Sequence, residues 1–281
     1  MINWYPGHMA KAKKKLQERL QLIDVVVELL DARIPVSSRN PNIDEILQDK
    51  KRIIVLNKMD LADKAITKAW KKKLAQEDPA IAVNSLNGQR INLITNHAKN
   101  LMADKLNKLV RKGRKKRNIR LMIVGVPNVG KSQLINQLCN RGSTRTGDRP
   151  GVTRGQQWVK IKKGFELLDT PGILWPKFES EEVAFRLAAT GAIKSDIYDN
   201  ETVAYKLLKF LKDVIPDTLQ ERFNLDYVSA DTLELMEDIG RKRGCLMSGG
   251  KVDRERTADI ILYEFRKGDL GRISLEIPSQ S

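Results

Sequence analysis

The chain has 281 residues, of which 41% are hydrophobic and 31% charged, enough for one large domain or two smaller ones with a buried core. It contains no stretch of about 18 apolar residues that could span a bilayer. Its start, MINWYPGHMAKAKKK, lacks the apolar segment of a secretory signal, and its two distant cysteines, Cys139 and Cys245, exclude a disulfide framework and point to the cytoplasm. The formal net charge is +16, and residues 1–120 hold 27 Lys and Arg against 12 Asp and Glu. A field of that sign attracts a polyanion, and with no amphipathic membrane helix or lipidation signal beside it, nucleic acid is the expected partner and a membrane is not.

In chain order, short runs rich in Val, Ile and Leu predict strands at Val25–Leu30, Ile53–Leu56, Ala80–Val83, Leu121–Val124, Gln157–Ile161 and Phe165–Leu168. Helical periodicity fills the gaps at Ala10–Leu22, Lys64–Gln76, Ile91–Val110 and Lys131–Leu138. This alternation predicts an α/β domain over residues 1–177, a mostly parallel sheet with helices on both faces. After Trp175-Pro176 strand signals nearly vanish. Helical patterns at Glu181–Thr190, Thr202–Val214, Asp231–Arg241 and Arg254–Lys267 predict a smaller all-α domain over residues 178–281. Arg111–Arg117, RKGRKKR, reads equally as a solvated connector or as an RNA contact.

The strongest local signal is Gly125-Val-Pro-Asn-Val-Gly130-Lys131-Ser132, a GxxxxGK[ST] loop after a strand and before a helix. Its glycines let the backbone curl so that N–H groups from Asn128, Val129 and Gly130 through Lys131, Ser132 and Gln133 face phosphate oxygens. The helix dipole assists them, Lys131 reaches the β- and γ-phosphates, and Ser132 ligates Mg2+. Asn57-Lys58-Met59-Asp60 follows a second strand, at the strand end where α/β ligands bind. The Asp60 carboxylate can accept from guanine N1–H and its 2-amino group, Lys58 can cover the ring, and Asn57 can tie this loop to the phosphate loop. Asn84-Ser85 fits a further loop whose N–H meets guanine O6. Asp169-Thr-Pro-Gly172 and Thr153 supply the remaining parts: Asp169 for a Mg2+-bound water, the Gly172 N–H for the γ-phosphate, and Thr153 to complete the metal shell.

In ordinary small GTPases the phosphate loop precedes the guanine motif; here the guanine motifs come first. The chain reads as a circularly permuted P-loop GTPase, and it resembles the ribosome biogenesis GTPase A family, also called RbgA or YlqF. The likeness extends to Trp4-Tyr5-Pro6-Gly7-His8-Met9, Asp31-Ala32-Arg33-Ile34-Pro35, Asp148-Arg149-Pro150-Gly151, Gly172-Ile-Leu-Trp-Pro-Lys177 and Lys242-Arg-Gly-Cys-Leu246. The resemblance implies a GTPase that docks on a late precursor of the large (50S) ribosomal subunit, contacts its 23S rRNA and ribosomal proteins, and leaves after hydrolysing GTP to GDP. Off the ribosome a monomer is expected. Basic residues of the second domain, Arg241, Lys242, Arg243, Arg254, Arg256, Arg266, Lys267 and Arg272, are candidate RNA contacts.

Ile173 stands where many GTPases place a water-orienting glutamine, so slow turnover off the particle is expected. The catalytic candidates are Lys131, Thr153 and His8; the family's histidine in that segment is proposed to act in catalysis, and a neutral imidazole can accept a hydrogen bond from water. Packing or RNA contact is the alternative for His8. Asn128 resembles the asparagine with which related GTPases hold K+, though it can equally brace the loop. Two other readings stay open: a GTP-switched RNA-binding scaffold with little hydrolysis, and a permuted GTPase of small-subunit assembly.

Overall fold

A computed structural model describes residues 18–113, 117–140, 158–162, 164–168, 180–193 and 195–279. They fall into two units: one reaches to Lys177 and also takes Glu276–Ser281, and the other is Phe178–Leu275.

The first unit is built on a six-stranded sheet: β1 (Val25–Asp31), β2 (Lys51–Asn57), β3 (Ala80–Ala82), β4 (Ile119–Val124), β5 (Trp158–Lys162) and β6 (Phe165–Leu168). Their spatial order is β3-β2-β1-β4-β6-β5, all neighbours parallel except the antiparallel β5–β6 pair at the edge. All seven residues of β1 are buried, as expected of a strand covered on both faces. Glu28 breaks its apolar run; burial pushes the carboxyl above its usual range, opposed by Arg39 and Arg52 at 3.4 and 3.3 Å. Helices α1 (Ile43–Leu47), α2 (Lys64–Leu74), α3 (Asn92–Arg111) and α4 (Lys131–Asn140) connect the strands. Leu30, Ile54 and Leu56 pack with Trp70 and Leu74 of α2, while Val26, Met122 and Leu168 pack with Ile43 and Ile46 of α1. Parallel register sets Asp31 beside Asn57 and Glu28 beside Val124, so the carboxyl ends of β1, β2 and β4 open at one edge of the sheet.

The second unit contains α5 (Glu181–Ala189), α6 (Asn200–Val214), α7 (Pro216–Phe223), α8 (Thr232–Lys242) and α9 (Arg254–Lys267). Side chains of Ser180, Asp199, Asp231 and Asp253 accept first-turn N–H groups of α5, α6, α8 and α9, satisfying donors that a helix start leaves orphaned. A Cβ on Gly240 would lie 2.6 Å from Thr257 Oγ1, so glycine lets α8 and α9 approach.

Two helices were not foreseen from sequence, and three expectations are refined. Helix α1 is too short to show a period in sequence. Helix α7, absent from the sequence-based expectations, begins at Pro216, a position where proline's fixed φ and missing N–H are harmless. The tail from Glu276 belongs with the first unit instead of the helical one, because its carboxylate accepts from the Val36 and Ser37 N–H groups. Several basic residues offered as RNA contacts are engaged internally: Arg241 with Glu237 and Asp238, Lys242 with Asp226, Arg243 with Glu264, Arg254 with Glu237, Lys267 with Asp269, and Arg266 with the Ala188 and Ala189 carbonyls. Among the described residues, no acidic partner is found for Arg256 or Arg272. Of the Arg111–Arg117 run, Arg117, though exposed, is tied back to the sheet by a two-pronged contact with buried Asp24 at 2.6 and 2.7 Å.

Candidate nucleotide site

The loop leaving β4 is shaped by close approach. A Cβ on Gly125 would lie 2.5 Å from the Leu29 carbonyl oxygen of β1, so only glycine lets the chain depart there. Asn128 (φ +55°) and Gly130 (φ +104°) both take left-handed backbone, which curls the loop back over the end of α4. Val126 and Val129 are buried beneath it. Lys131 opens α4, and its ammonium donates to the carbonyls of Gly125 at 3.0 Å and Val126 at 2.6 Å. Burial lowers its pKa to about 8, because no carboxylate among the described residues offsets the loss of water. Ser132 and Gln133 are exposed in the first turn, where orphan N–H groups and the helix dipole favour an anion.

The second half of the site is joined to the first by one side chain. Asn57, wholly buried, donates from Nδ2 to the Val129 carbonyl at 2.7 Å and accepts the Ser85 N–H on Oδ1 at 3.0 Å. Its amide thus brings together the NKMD segment, the phosphate loop and the Asn84-Ser85 loop. A Cβ on Gly130 would sit 2.3 Å from Asn57 Nδ2 and 3.2 Å from Ser85 Oγ, so the same glycine that curls the loop also makes room for the amide. Asn84 folds its own loop, its Oδ1 accepting the Leu86 N–H at 2.8 Å.

Lys58 is held with φ +58° and pairs with Asp31 Oδ2 at 3.0 Å. Burial pulls its ammonium below the usual lysine value, and Asp31 opposes that pull. Burial would raise the Asp31 carboxyl, but Arg33 and Lys58 outweigh it and hold it far below the ordinary carboxylate range. Arg33 grips it with Nε at 3.0 Å and a terminal nitrogen at 2.8 Å. Met59 donates its N–H to the Val83 carbonyl at 3.2 Å, fixing the turn that presents Asp60. Asp60 Oδ1 is buried and meets no hydrogen-bond partner among the described residues, and a buried acceptor of that kind suits donors on a ligand edge.

The described residues therefore assemble Asn57–Asp60, Asn84, Ser85 and Asn128–Gln133 at one edge of the sheet. His8, Thr153, Asp169, Gly172 and Ile173 lie outside them. Sequence reasoning missed the part played by Asp31 and Arg33, which it took only as family landmarks. The available signal was position: an acidic residue at the carboxyl end of the strand next to the NKMD strand.

Comparison with known proteins agrees with this geometry. Residues 120–221 match a family model described as a 50S ribosome-binding GTPase. The chain is 51% identical to ribosome biogenesis GTPase A of Bacillus licheniformis, covering 99% of both chains. It is 33% identical to the protein of that name from Thermotoga maritima, over 99% of this chain and 95% of the relative. Two solved structures of YlqF are similar at a TM-score of 0.67. A GDP-bound one is 28% identical, with 95% of this chain and all of that one covered; a GNP-bound one from Thermotoga maritima is 30% identical, with 96% and all covered. With phosphate loop and NKMD segment joined through Asn57 in a fold shared with these proteins, the chain is a GTPase and belongs to the ribosome biogenesis GTPase A family.

Proposed function

We propose that the protein binds a late precursor of the large (50S) ribosomal subunit in its GTP state, contacts 23S rRNA and ribosomal proteins there, hydrolyses GTP to GDP and phosphate on the particle, and departs. The observation that carries the nucleotide half is the Asn57 contact with Val129, which sets a guanine-reading segment against a phosphate loop. Relatives named for ribosome biogenesis and the basic charge of residues 1–120 support the ribosomal half. We take the protein to act in the cytoplasm and to be a monomer when off the particle. In the helical unit, taken as the RNA- and ribosome-binding domain, Arg256 and Arg272 are the better RNA candidates.

In this reading Asp60 accepts from the guanine N1–H and 2-amino group, Lys58 covers the base, and Ser85 meets O6. N–H groups from Asn128 to Gln133 cradle the phosphates, and Lys131 stabilises charge on the β- and γ-oxygens. Ser132 and Thr153 would hold a Mg2+ ion, with Asp169 acting through water, and the ion would supply positive charge to the phosphates; Mg2+ bound to a nucleotide needs few protein ligands. Gly172 would sense the γ-phosphate, His8 would orient water in place of the absent glutamine, and Asn128 would hold K+. In sequence only a few residues separate Gly172 from the helical unit, so a γ-phosphate-dependent shift would be transmitted to that unit.

Multiple-turnover GTP hydrolysis with and without large-subunit particles, in K+ and in Na+ buffer, tests this. Particle stimulation lost in His8→Ala is expected; no stimulation by particles would favour a GTP-switched RNA-binding scaffold, the reading that Ile173 keeps in view.

A further inference from the structure

We propose that Glu276 is a positioning residue for guanine-nucleotide binding, acting through the Val36–Ser38 turn on Asp31 and thence on Lys58. The inference rests on reading Asn57–Asp60 as the guanine-binding segment. Glu276 lies 240 residues from Val36 in sequence, yet its buried carboxylate accepts the Val36 N–H at 2.6 Å, the Ser37 N–H at 2.9 Å and the Ser37 hydroxyl. Its carbonyl accepts the Trp70 indole N–H at 2.9 Å, and Lys73 donates to the Ser279 hydroxyl three residues further on. Thus α2 holds the tail while the carboxylate holds the turn.

The turn in turn fixes the ion pair. Ser38 Oγ donates to the Ile34 carbonyl at 2.7 Å and accepts the Asp31 N–H at 3.0 Å. Asp31 then aims its carboxylate at Arg33 and at Lys58, 3.0 Å away. Ser37, Ser38, Asp31 and Arg33 are each 3% exposed or less, so the relay runs through close-packed groups that have little room to readjust. Removing the carboxylate leaves the buried Ser37 donors without their acceptor, and the turn must move to satisfy them. Asp31 would follow, loosening the lysine that faces the base. A tail that merely stabilised the fold would leave Lys58 and nucleotide affinity alone.

Titration of the full-length chain with fluorescent GDP and a GTP analogue decides the matter, using Glu276→Ala, Lys58→Ala and the double variant. For Glu276→Ala we expect both affinities to fall about tenfold, with kcat at saturating GTP within about twofold of wild type. The double variant should bind no more weakly than Lys58→Ala, because residues acting in one relay are not additive. Ser37→Ala, a gentler change, should weaken binding about threefold. Unchanged affinity in both the Glu276 and Ser37 variants, or losses that multiply in the double variant, overturns the positioning role while the guanine site stands. If Lys58→Ala itself leaves GDP affinity unchanged, the reading of the guanine segment fails and this proposal with it.

Discussion

Asn57 donates to the carbonyl of Val129, 72 residues further along the chain, at 2.7 Å. One amide thus holds the base-reading and phosphate-binding halves of the site in fixed relation. Asn57→Asp keeps the acceptor for Ser85 but removes the donor to Val129 and sets a carboxylate against a carbonyl. Nucleotide affinity should fall by about 2 kcal/mol, roughly thirtyfold, in an equilibrium titration. Circular dichroism should show the sheet retained.

Gly130→Ala probes the same junction from the other side. Its new methyl would fall 2.3 Å from Asn57 Nδ2, on a backbone with φ +104°. The loop must open to relieve the clash, so the amide contact is lost as well. Isothermal titration with GDP should show binding weakened by at least about tenfold, given about 1–3 kcal/mol for the strained backbone alone.

The Lys131 ammonium, with a pKa lowered to about 8 by burial, makes nucleotide affinity pH-dependent. Phosphate oxygens favour the protonated form and raise its pKa in the complex. Affinity is therefore full below pH about 8 and declines above it, by at most tenfold per pH unit. Lys131→Met should bind weakly and lose the slope. The free chain follows the opposite sense: a lysine depressed on folding costs stability while charged, so this group's contribution rises with pH from about 8 towards the unfolded value of 10.5.

Asp60 offers the base edge two acceptors and no donor. Asp60→Asn places an amide N–H opposite the guanine 2-amino group, yet matches the carbonyl that xanthine carries there. Competition titrations should show GTP preference over XTP reversed, with a change of about 2–4 kcal/mol between the two bases. Equal loss for both would remove Asp60 from base recognition.

At the opposite edge of the sheet, Arg117 and the Arg120 N–H hold Asp24. Burial would raise that carboxyl, but these partners outweigh it and lower its pKa. The group's contribution to stability is present above the unfolded carboxylate pKa and lost as pH falls through the lower folded one. Urea unfolding at neutral pH should show Arg117→Ala less stable by about 1–3 kcal/mol, with the difference shrinking in acid.

What could be read from sequence was what is local. A strand, a glycine-rich loop and a helix in succession identify the phosphate loop because each constraint acts within a few residues, and NKMD gains meaning from the strand before it. Contacts between distant segments left no such trace: the Asp31 grip on Lys58, the Glu276 anchor at Ser37, and the Arg117 bond to Asp24. Charge was legible only in part. Arg241 pairs with Glu237 one turn back on its own helix, a spacing visible in sequence, whereas the pairs of Arg243 with Glu264 and Arg254 with Glu237 join distant segments and depend on which faces are adjacent.

The order of the strands bears on how the protein is made. Strand β1 sits inside the sheet between β2 and β4, but β4 begins at Ile119, long after β1 has left the ribosome's exit tunnel. Until then a nascent chain bearing β1, β2 and β3 has one mostly apolar strand, interrupted by Glu28, with unpaired backbone groups along the side that β4 will occupy. Such an edge readily pairs with other chains. For a protein of this family, its own synthesis is thus a stage that depends on timely completion of the sheet's centre.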